Sequence, residues 1–492
     1  MESSKVIEKG LAILLIRGQT SKGSWYGANI KAVWEAVMER SVINSMREEA
    51  KEIFLEAVRS VDPYVAVKRS MRLEGSQLVV MEGERKSESF HLDEFERIFV
   101  VGGGKATAPM ARAVEEIMGP RISKGHIVVK YGFVEKLQKI KITEAGHPLP
   151  DKNGVIGTKK ILEILKEAGE RDLVISLISG GGSALLPQPA DNITLEEKQA
   201  VTQMLLDCGA TIEEINAVRK HISLTKGGQM ARAAWPATVI NLMLSDVVGD
   251  RLDVIASGPF VPDTSTFKTV DRIIRKYELG DLPEAVSAHL RAGLEGRIPE
   301  TPKEGEEAFE RVFNLVVGSN LMALKAAETK ASSLGYHTLI LSSLIEGETR
   351  EVSKVHVGIA KEVWKSGHPI SPPACIISGG ETTVTIRGKG LGGRNQEFCL
   401  TAAISLEGEP TPIVILSGGT DGNDGPTDAA GGIVDSFTAK RGRDMDLDPI
   451  DFLKNNDSYN FLKQTGDLLV TGPTNTNVMD VRLILIRPLS NA

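Results

Sequence analysis

Short apolar runs alternate along this chain with longer amphipathic stretches. Runs such as residues 97–101 and 172–178 have the length of buried strands, and residues 153–168 have helical spacing between them. The same alternation resumes in the second half, with strand-like runs at 314–317 and 337–341. It predicts an α/β fold of two α/β lobes, with mainly parallel sheets covered by helices.

The pattern changes at two places, which predict the domain boundaries. A well-formed amphipathic helix begins at Met46, after a Gly- and Ser-containing spacer and a short helix-like stretch. Residues 1–45 are therefore interpreted as an N-terminal extension outside the fold, with Met46 as an alternative start of the chain. A charged, Pro-containing stretch at 297–307 is the best linker. We predict an N-terminal domain over residues 46–305 and a C-terminal α/β domain over 306–492.

Composition and charge narrow the class of protein. With 492 residues, 41% hydrophobic and 25% charged, the chain has the profile of a globular protein. A net charge of −7 argues against nucleic acid or an acidic membrane as the main partner. Three scattered cysteines exclude a disulfide framework, and no apolar run approaches the ~20 residues of a membrane helix. We expect a cytoplasmic protein with a small-molecule substrate, and a homodimer stays open.

Glycine marks the candidate ligand site. Four predicted strands end in glycine pairs or triplets, and such turns expose backbone N–H groups at the carboxyl edge of a sheet. These groups favour a phosphate or a carboxylate, although packing turns are the competing interpretation. The candidate binding residues in three of the turns are Gly103, Gly104, Ser179, Gly180, Gly181, Gly182, Ser183, Gly379, Gly380 and Glu381.

None of these turns matches a common nucleotide or nucleophile motif. A P-loop would need glycine at Phe99 and Ser or Thr at Ala106, and a dinucleotide fingerprint beginning at Gly102 would need Gly or Ala at Thr107. A nucleophile elbow around Ser183 would need glycine at Leu185. The standard assignments are therefore excluded.

Charged residues next to the turns are candidates for chemistry. Lys105 follows a glycine triplet at a predicted helix start, and Arg394 follows a Gly-rich segment, so both can bind an anion. Asp246 ends a predicted strand, where a carboxylate can orient a hydroxyl or bind Mg²⁺. Asp421 and Asp424 are weaker metal candidates, since solvated Asp-rich turns are common. Further candidate binding residues are Arg219, Lys220, Asn395 and Thr420; a solvated helix surface is the alternative for Arg219 and Lys220.

Seven segments together resemble the class II glycerate kinases, whose C-terminal part is called the MOFRL domain. The resemblance implies two α/β domains, the N-terminal one Rossmann-like, with the active-site cleft between them. It also implies ATP-dependent phosphorylation of D-glycerate, commonly at the 2-hydroxyl, with Lys105 and Arg394 as central residues. Residues 1–45 are not required by the family pattern. The segments are VGGGKA at 101–106, EAGHP at 144–148, ISGGGSA at 178–184, EINAVRKH at 214–221, LSDVVGDRLDVIASGP at 244–259, GGRNQE at 392–397 and GTDGNDGPTDAAGG at 419–432.

The resulting hypothesis is a glycerate 2-kinase that uses ATP and Mg²⁺ or another divalent cation. Lys105 and Arg394, one from each lobe, would face each other across the cleft and stabilise the transferring phosphoryl group. Asp246 would orient or deprotonate the substrate hydroxyl. The rivals are a hydroxypyruvate or glycerate oxidoreductase, which predicts a dinucleotide fingerprint that is missing, and a non-enzymatic small-anion binding protein. The 2- versus 3-phosphate product, the nucleotide and metal preference, and the oligomeric state stay open.

Overall fold

The computed structural model of the protein describes residues 25–82, 85–409 and 412–488. Its strands are β1 (Met71–Glu74), β2 (Gln77–Glu82), β3 (Arg85–His91), β4 (Arg97–Gly103), β5 (Ile122–Lys130), β6 (Ile140–Ala145), β7 (Asp172–Ile178), β8 (Thr238–Leu244), β9 (Val312–Gly318), β10 (His337–Ile345), β11 (Ala374–Gly380), β12 (Ile413–Gly419), β13 (Gly431–Asp435), β14 (Leu468–Leu469) and β15 (Asp480–Ile486).

Helices alternate with these strands over most of the chain. They are α1 (Trp25–Ser60), α2 (Pro63–Ser70), α3 (Thr107–Met118), α4 (Lys152–Glu167), α5 (Gly182–Leu185), α6 (Leu195–Asp207), α7 (Ile212–His221), α8 (Gln229–Ala234), α9 (Phe267–Lys276), α10 (Glu284–Leu294), α11 (Asn320–Ser333), α12 (Thr349–Ser366), α13 (Arg394–Leu406), α14 (Thr438–Arg443), α15 (Pro449–Lys454) and α16 (Ser458–Thr465). No helix within these described ranges is long and apolar enough to cross a membrane.

The first large sheet is fully parallel and confirms the predicted Rossmann-like arrangement. Its strand order is β6-β5-β4-β7-β8-β9, and every neighbouring pair is parallel. The chain builds outward from β4 in one direction and then from β7 in the other. The carboxyl ends of β4 and β7 are therefore the topological switch point, where open α/β sheets bind ligands.

The second large sheet differs from the prediction of mainly parallel sheets. Its order is β10-β11-β15-β12-β13-β14, and only β10 and β11 are parallel. The last strand, β15, inserts between β11 and β12 and runs antiparallel to both. A buried apolar run looks the same in either direction, so its orientation could not be predicted locally.

Two segments cross the predicted domain boundaries. Strand β9 pairs with β8 as the edge of the first sheet, although it lies beyond the predicted boundary at 305/306. Helix α1 runs without a break through the boundary at 45/46, and its Ile43 is only 3% exposed. Residues 1–24 lie outside the described residues, so the extension itself stays a prediction.

Helix α1 packs on the second sheet rather than on the first. Its Arg47 pairs with Asp435 at 2.6 Å and with Asp467 at 2.8 Å, and its Phe54 lies against Gly418 of β12. One continuous apolar core joins this helix with buried residues of both large sheets. Helix α1 thus packs with the second sheet, although the strands of the first sheet follow it in the chain.

Two smaller parts accompany the large sheets. Strands β1, β2 and β3 form an antiparallel sheet of their own. Helices α6, α7, α9 and α10 share a separate apolar core that includes Leu205, Val218, Val270 and Leu290. This helical part begins directly after the glycine turn of β7, so it lies beside the switch point.

Candidate active site

Two glycine turns interlock at the switch point of the first sheet. The backbone N–H of Lys105 donates to the carbonyl of Gly180 at 2.8 Å, and that of Ala106 donates to Ser179 Oγ at 3.0 Å. A Cβ at Gly104 would lie only 2.1 Å from the same Ser179 oxygen, so a larger residue cannot be accommodated there. Ser179 and Gly104 therefore lock one turn against the other, and Lys105 follows them at the start of α3.

Three ionisable side chains surround the second of these turns. A Cβ at Gly180 would lie 2.1 Å from Asp246 Oδ2, and one at Gly181 would lie 2.9 Å from His147 and 3.2 Å from Lys105 Cγ. Burial raises the pKa of Asp246, although the charge of Lys105 opposes that shift. Burial, followed by repulsion from Lys105, lowers the pKa of His147 to about 4, so its imidazole is neutral at pH 7.

Residues from both large sheets line the cavity in front of Lys105. This cavity has a volume of about 140 Å³, and Asp421 and Asn423, which follow β12, line it together with Lys105 and Gly180. The remaining lining residues include Lys130, Phe133, Leu244, Pro473, Asn475, Thr476 and Asn477. Lys105, Gly180 and Asp421 therefore line the same cavity.

Arg394 is held in place by two carboxylates. Its Nε and Nη2 donate to Asp480 at 2.8 and 3.0 Å, and its Nη1 lies 2.7 Å from Glu381 Oε1. Burial lowers the pKa of the Arg394 guanidinium, but the two carboxylates outweigh it and raise the pKa above its usual value. Asp480 is fully buried and also accepts from Asn395 and Arg482, both at 2.9 Å. Sequence analysis missed Asp480, because no local motif marks it.

Glu381 interacts electrostatically with Arg394 and Asp480 as well as with Asp246 and Asp421. Burial raises its pKa, Arg394 opposes this, and the charges of Asp480, Asp246 and Asp421 raise it further. Glu381 also lines a larger cavity of about 510 Å³ together with Arg394. The predicted arrangement of Lys105 and Arg394 face to face across one cleft stays a prediction, since they line separate cavities here.

Asp424 caps a helix and does not fit a metal ligand. Its Oδ1 accepts the backbone N–H of Asn395 at 3.1 Å, and its Oδ2 accepts that of Gln396 at 2.8 Å, at the first turn of α13. Burial raises the pKa of Asp424 to about 7. Both oxygens are occupied, whereas Asp421 remains partly exposed beside Lys105. Across the described ranges, no group of three or more His, Cys, Asp or Glu side chains is arranged to hold a metal ion.

Most of the other predicted binding residues have structural contacts. Those in the second half are buried: a Cβ at Gly379 would lie 1.9 Å from Asn320 Oδ1, and Thr420 Oγ1 donates to the Met479 carbonyl at 2.7 Å. Asn395 accepts from Ser417 Oγ at 2.6 Å. A side chain at Gly380 would likewise collide with Ile345, and a side chain at Gly103 would collide with Leu186.

The remaining predicted residues lie near the β7 turn. A Cβ at Gly182 would lie 2.8 Å from Ala256 Cβ, and Ser183 Oγ lies 2.8 Å from Ser257 Oγ. Lys220 is buried against Asp263 at 3.2 Å, so it is paired inside the helical part instead of facing a ligand. No ion pair within the described residues involves Arg219.

Comparison with known proteins agrees with these motifs. Residues 49–291 match a domain of unknown function, DUF4147, and residues 374–480 match the MOFRL family. A protein of Thermotoga maritima named D-glycerate 2-kinase is 43% identical over 90% of this chain and 99% of its own length. A protein of Agrobacterium vitis named "Putative hydroxypyruvate reductase" is 44% identical over 90% of this chain and 95% of its own length.

A solved structure has the same fold over most of the chain. The crystal structure of a glycerate kinase from Thermotoga maritima covers 90% of this chain and 100% of its own, with 42% identity and a TM-score of 0.80. The matches agree with the interlocked glycine turns beside Lys105 and with the Arg394 that two carboxylates hold. This chain belongs to the glycerate kinase family that carries a MOFRL domain.

Proposed function

We propose that this chain transfers the γ-phosphoryl group of ATP to D-glycerate, at the 2-hydroxyl, giving 2-phosphoglycerate and ADP. The observation that carries the proposal is the meeting of Lys105, Asp246 and the Gly180–Gly182 turn at the switch point of the first sheet, with Asp421 lining the cavity in front of Lys105. Relatives named glycerate 2-kinase support the same reaction.

Positive charge is the main requirement of phosphoryl transfer. The reaction spreads negative charge over the transferring group, and fixed cations and N–H donors stabilise that charge without reorganising. Lys105 supplies an ammonium group, and the stem of its side chain lies beside Gly181 of the turn. Arg394 supplies a guanidinium whose orientation is set by Asp480 and Glu381, and Nη1 contacts the more exposed of these two carboxylates.

Asp246 is the candidate to accept the hydroxyl proton. Its carboxylate lies against Gly180, and Lys105 lies beside the next residue of the turn, Gly181. Burial raises the pKa of Asp246 and so brings it closer to the working pH. His147 lies beside the same turn as a neutral imidazole, so it can accept a hydrogen bond from a substrate hydroxyl. Together they can orient and deprotonate the attacking oxygen.

Asp421 is the candidate carboxylate for a magnesium–nucleotide complex. Mg²⁺ in such sites is usually held by one or two carboxylates together with the phosphates, and keeps several waters. Asp421 borders the cavity and would hold the ion; its negative charge raises the pKa of Asp246, so the two carboxylates are close enough to interact. The ion would neutralise charge on the phosphates when bound.

A product assay tests the proposed function directly. Purified protein is incubated with D-glycerate, ATP and MgCl₂; ADP release is followed by a coupled assay, and the product is identified by phosphorus NMR. We expect stoichiometric ADP and a phosphate ester on a secondary carbon. A 3-phosphate ester would correct the position of transfer, and ADP release that does not depend on glycerate would contradict the proposal.

The second candidate activity is hydroxypyruvate reduction, because one relative has that name. The same protein is therefore assayed with hydroxypyruvate and NADH or NADPH by absorbance. The turn at 102–107 lacks the third glycine of a dinucleotide fingerprint, so we expect no oxidation of either nucleotide. Turnover with a reduced nucleotide would favour the oxidoreductase instead.

A further inference from the structure

Three basic side chains lie behind the Gly180–Gly182 turn without a carboxylate partner. Lys198 and Lys226 are 6% and 1% exposed, and their ammonium groups donate to carbonyls of the 183–188 segment, at 3.0 and 2.7 Å respectively. The third is Arg219. Among the ion pairs of the described residues, none contains any of the three, although the protein forms many others.

Arg219 lies on a helix that is connected by hydrogen bonds, through Ser257, to the same segment. It lies on α7 three residues after Asn216, and residues at that spacing share one face of a helix. Asn216 Oδ1 accepts a hydrogen bond from Ser257 Oγ at 3.3 Å, and Ser257 Oγ lies 2.8 Å from Ser183 Oγ. A hydroxyl and amide network thus connects the Arg219 face of the helix to the end of the glycine turn.

The three cations are electrostatically coupled to one another. Burial lowers the pKa of Lys198 and of Lys226, and the positive charge of Arg219 lowers both further. A lysine can relieve such a burial penalty by losing its proton, but an arginine cannot. The region therefore lacks negative charge, and an anion bound there would be attracted by the Arg219 charge and would favour the protonated form of both lysines.

The backbone beside this cluster is held in an unusual conformation. Ala256 and Ser257 both have left-handed backbone angles, with φ of 50° and 62°. Such residues cost free energy and collect at binding sites, where packing holds them in place. Ala256 packs against Gly182, so the conformation that orients the Ser257 hydroxyl also fixes the turn.

We propose that Lys198, Arg219 and Lys226 form an oxyanion subsite that binds the carboxylate of the substrate. The inference rests on the proposed function and adds the part of the site that recognises a 2-hydroxy acid. The hydroxyl and the carboxylate of such an acid are on adjacent carbons, so neighbouring parts of the protein must bind them. The Asp246 carboxylate lies against Gly180. The Lys226 ammonium donates a hydrogen bond to the carbonyl of Ser183, three residues after Gly180 in the chain.

Binding measurements on Arg219→Gln test the subsite. Isothermal titration gives Kd for D-glycerate and, separately, for ATP with Mg²⁺, in the wild type and in the variant. Loss of a charged hydrogen-bond donor predicts a Kd for glycerate about 10- to 100-fold higher, with the Kd for ATP unchanged within about threefold. Arg272→Gln, an exposed arginine on the neighbouring helix α9, is the matched control and should change neither constant.

Kinetics and a conservative variant separate binding from folding. Arg219→Gln should raise KM for glycerate more than it lowers kcat, and Arg219→Lys should restore part of the affinity, since it keeps the charge. An Arg219→Gln protein that melts like the wild type and binds glycerate normally overturns the subsite, as does one that loses ATP affinity instead. Wild-type phosphorylation of glycerate in the product assay distinguishes this failure from failure of the proposed function, which would overturn both.

Discussion

Among single residues, Lys105 and Arg394 differ in how their charges are held. Lys105 borders the cavity with no ion-pair partner within the described residues, whereas Arg394 has two carboxylates. If both stabilise charge that develops during transfer, Lys105→Met and Arg394→Met should each lower kcat by about 10²–10³ and change KM for glycerate less. Arg394→Lys should also be poor, because a single ammonium cannot replace the bidentate contact with Asp480. Steady-state kinetics measures each effect.

The exposed Lys139→Met is the control and should behave like the wild type. The double variant of Lys105 and Arg394 should lose less than the product of the two single losses if both residues contact the same phosphoryl group. Near wild-type kcat in either single variant, at saturating substrates, would show that this residue has no role in the transfer.

Asp480 is expected to position Arg394 and to stabilise the second sheet. It is fully buried between Arg394, Asn395 and Arg482. Asp480→Asn should therefore lower both kcat and Tm, since breaking a buried ion pair typically costs about 3–5 kcal/mol. Glu381→Gln removes the other carboxylate on the same guanidinium, but that side chain is 44% exposed. It should lower kcat with little change in Tm; equal losses of Tm in the two variants would contradict this distinction.

At the scale of elements, the interlocked glycine turns determine where the ionisable groups lie. A Cβ at Gly180 would lie 2.1 Å from Asp246 Oδ2, so Gly180→Ala should displace that carboxylate and lower kcat at least about tenfold. Gly358→Ala on α12 is the control, because open space surrounds that position. The control should keep full activity and gain up to about 1 kcal/mol of helix stability. Unchanged kinetics in Gly180→Ala would show that Asp246 does not act from its observed position.

Helix α1 is the element that extends beyond the predicted start of the functional unit. We expect a chain of residues 46–492 to keep kcat/KM within about tenfold of the full chain, a change of roughly 1.4 kcal/mol, because every candidate site residue lies downstream of Met46. Its Tm should be lower than that of a 41–492 chain, which keeps the buried Ile43. Differential scanning calorimetry and the coupled assay on both chains measure this. A tenfold or greater loss of activity only in the shorter chain would give residues 41–45 a functional role.

For the whole molecule, buried histidines predict instability in acid. Burial lowers the pKa of His126 and of His356 from 6.5 to about 4. Between these pH values the unfolded chain binds protons that the folded protein does not, so the free energy of unfolding should fall as the pH drops from about 6.5 to about 4. Urea unfolding at pH 7.5 and at pH 5 measures the difference.

Variants of His126 and His356 test whether these two side chains cause the pH dependence of the free energy of unfolding. His126→Gln and His356→Gln should each make the free energy of unfolding less dependent on pH, whatever their effect at pH 7.5. His337→Gln is the control, since His337 is exposed. An unchanged slope in both buried variants would contradict the assignment.

The local sequence pattern was sufficient to predict those parts of the site that are set by residues adjacent in the chain. Buried apolar runs ending in glycine predicted β4 and β7, and the residue after each turn necessarily lies at the carboxyl edge of a parallel sheet. The positions of Lys105, Gly180 and Asp246 at that edge are therefore determined by the sequence. Their chemistry follows from residue type and from the turn that carries them.

The tertiary structure alone decided which distant partners complete the site. Asp480 lies 86 residues after Arg394, and nothing near either residue marks the pair. The role of Asp424 as a helix cap, the antiparallel β15, and the packing of α1 on the second sheet depend likewise on long-range contacts. Periodicity and turn signals report whether a residue is buried and how the local backbone runs. They cannot report which buried surface it meets, because many surfaces of similar polarity are available until the chain folds.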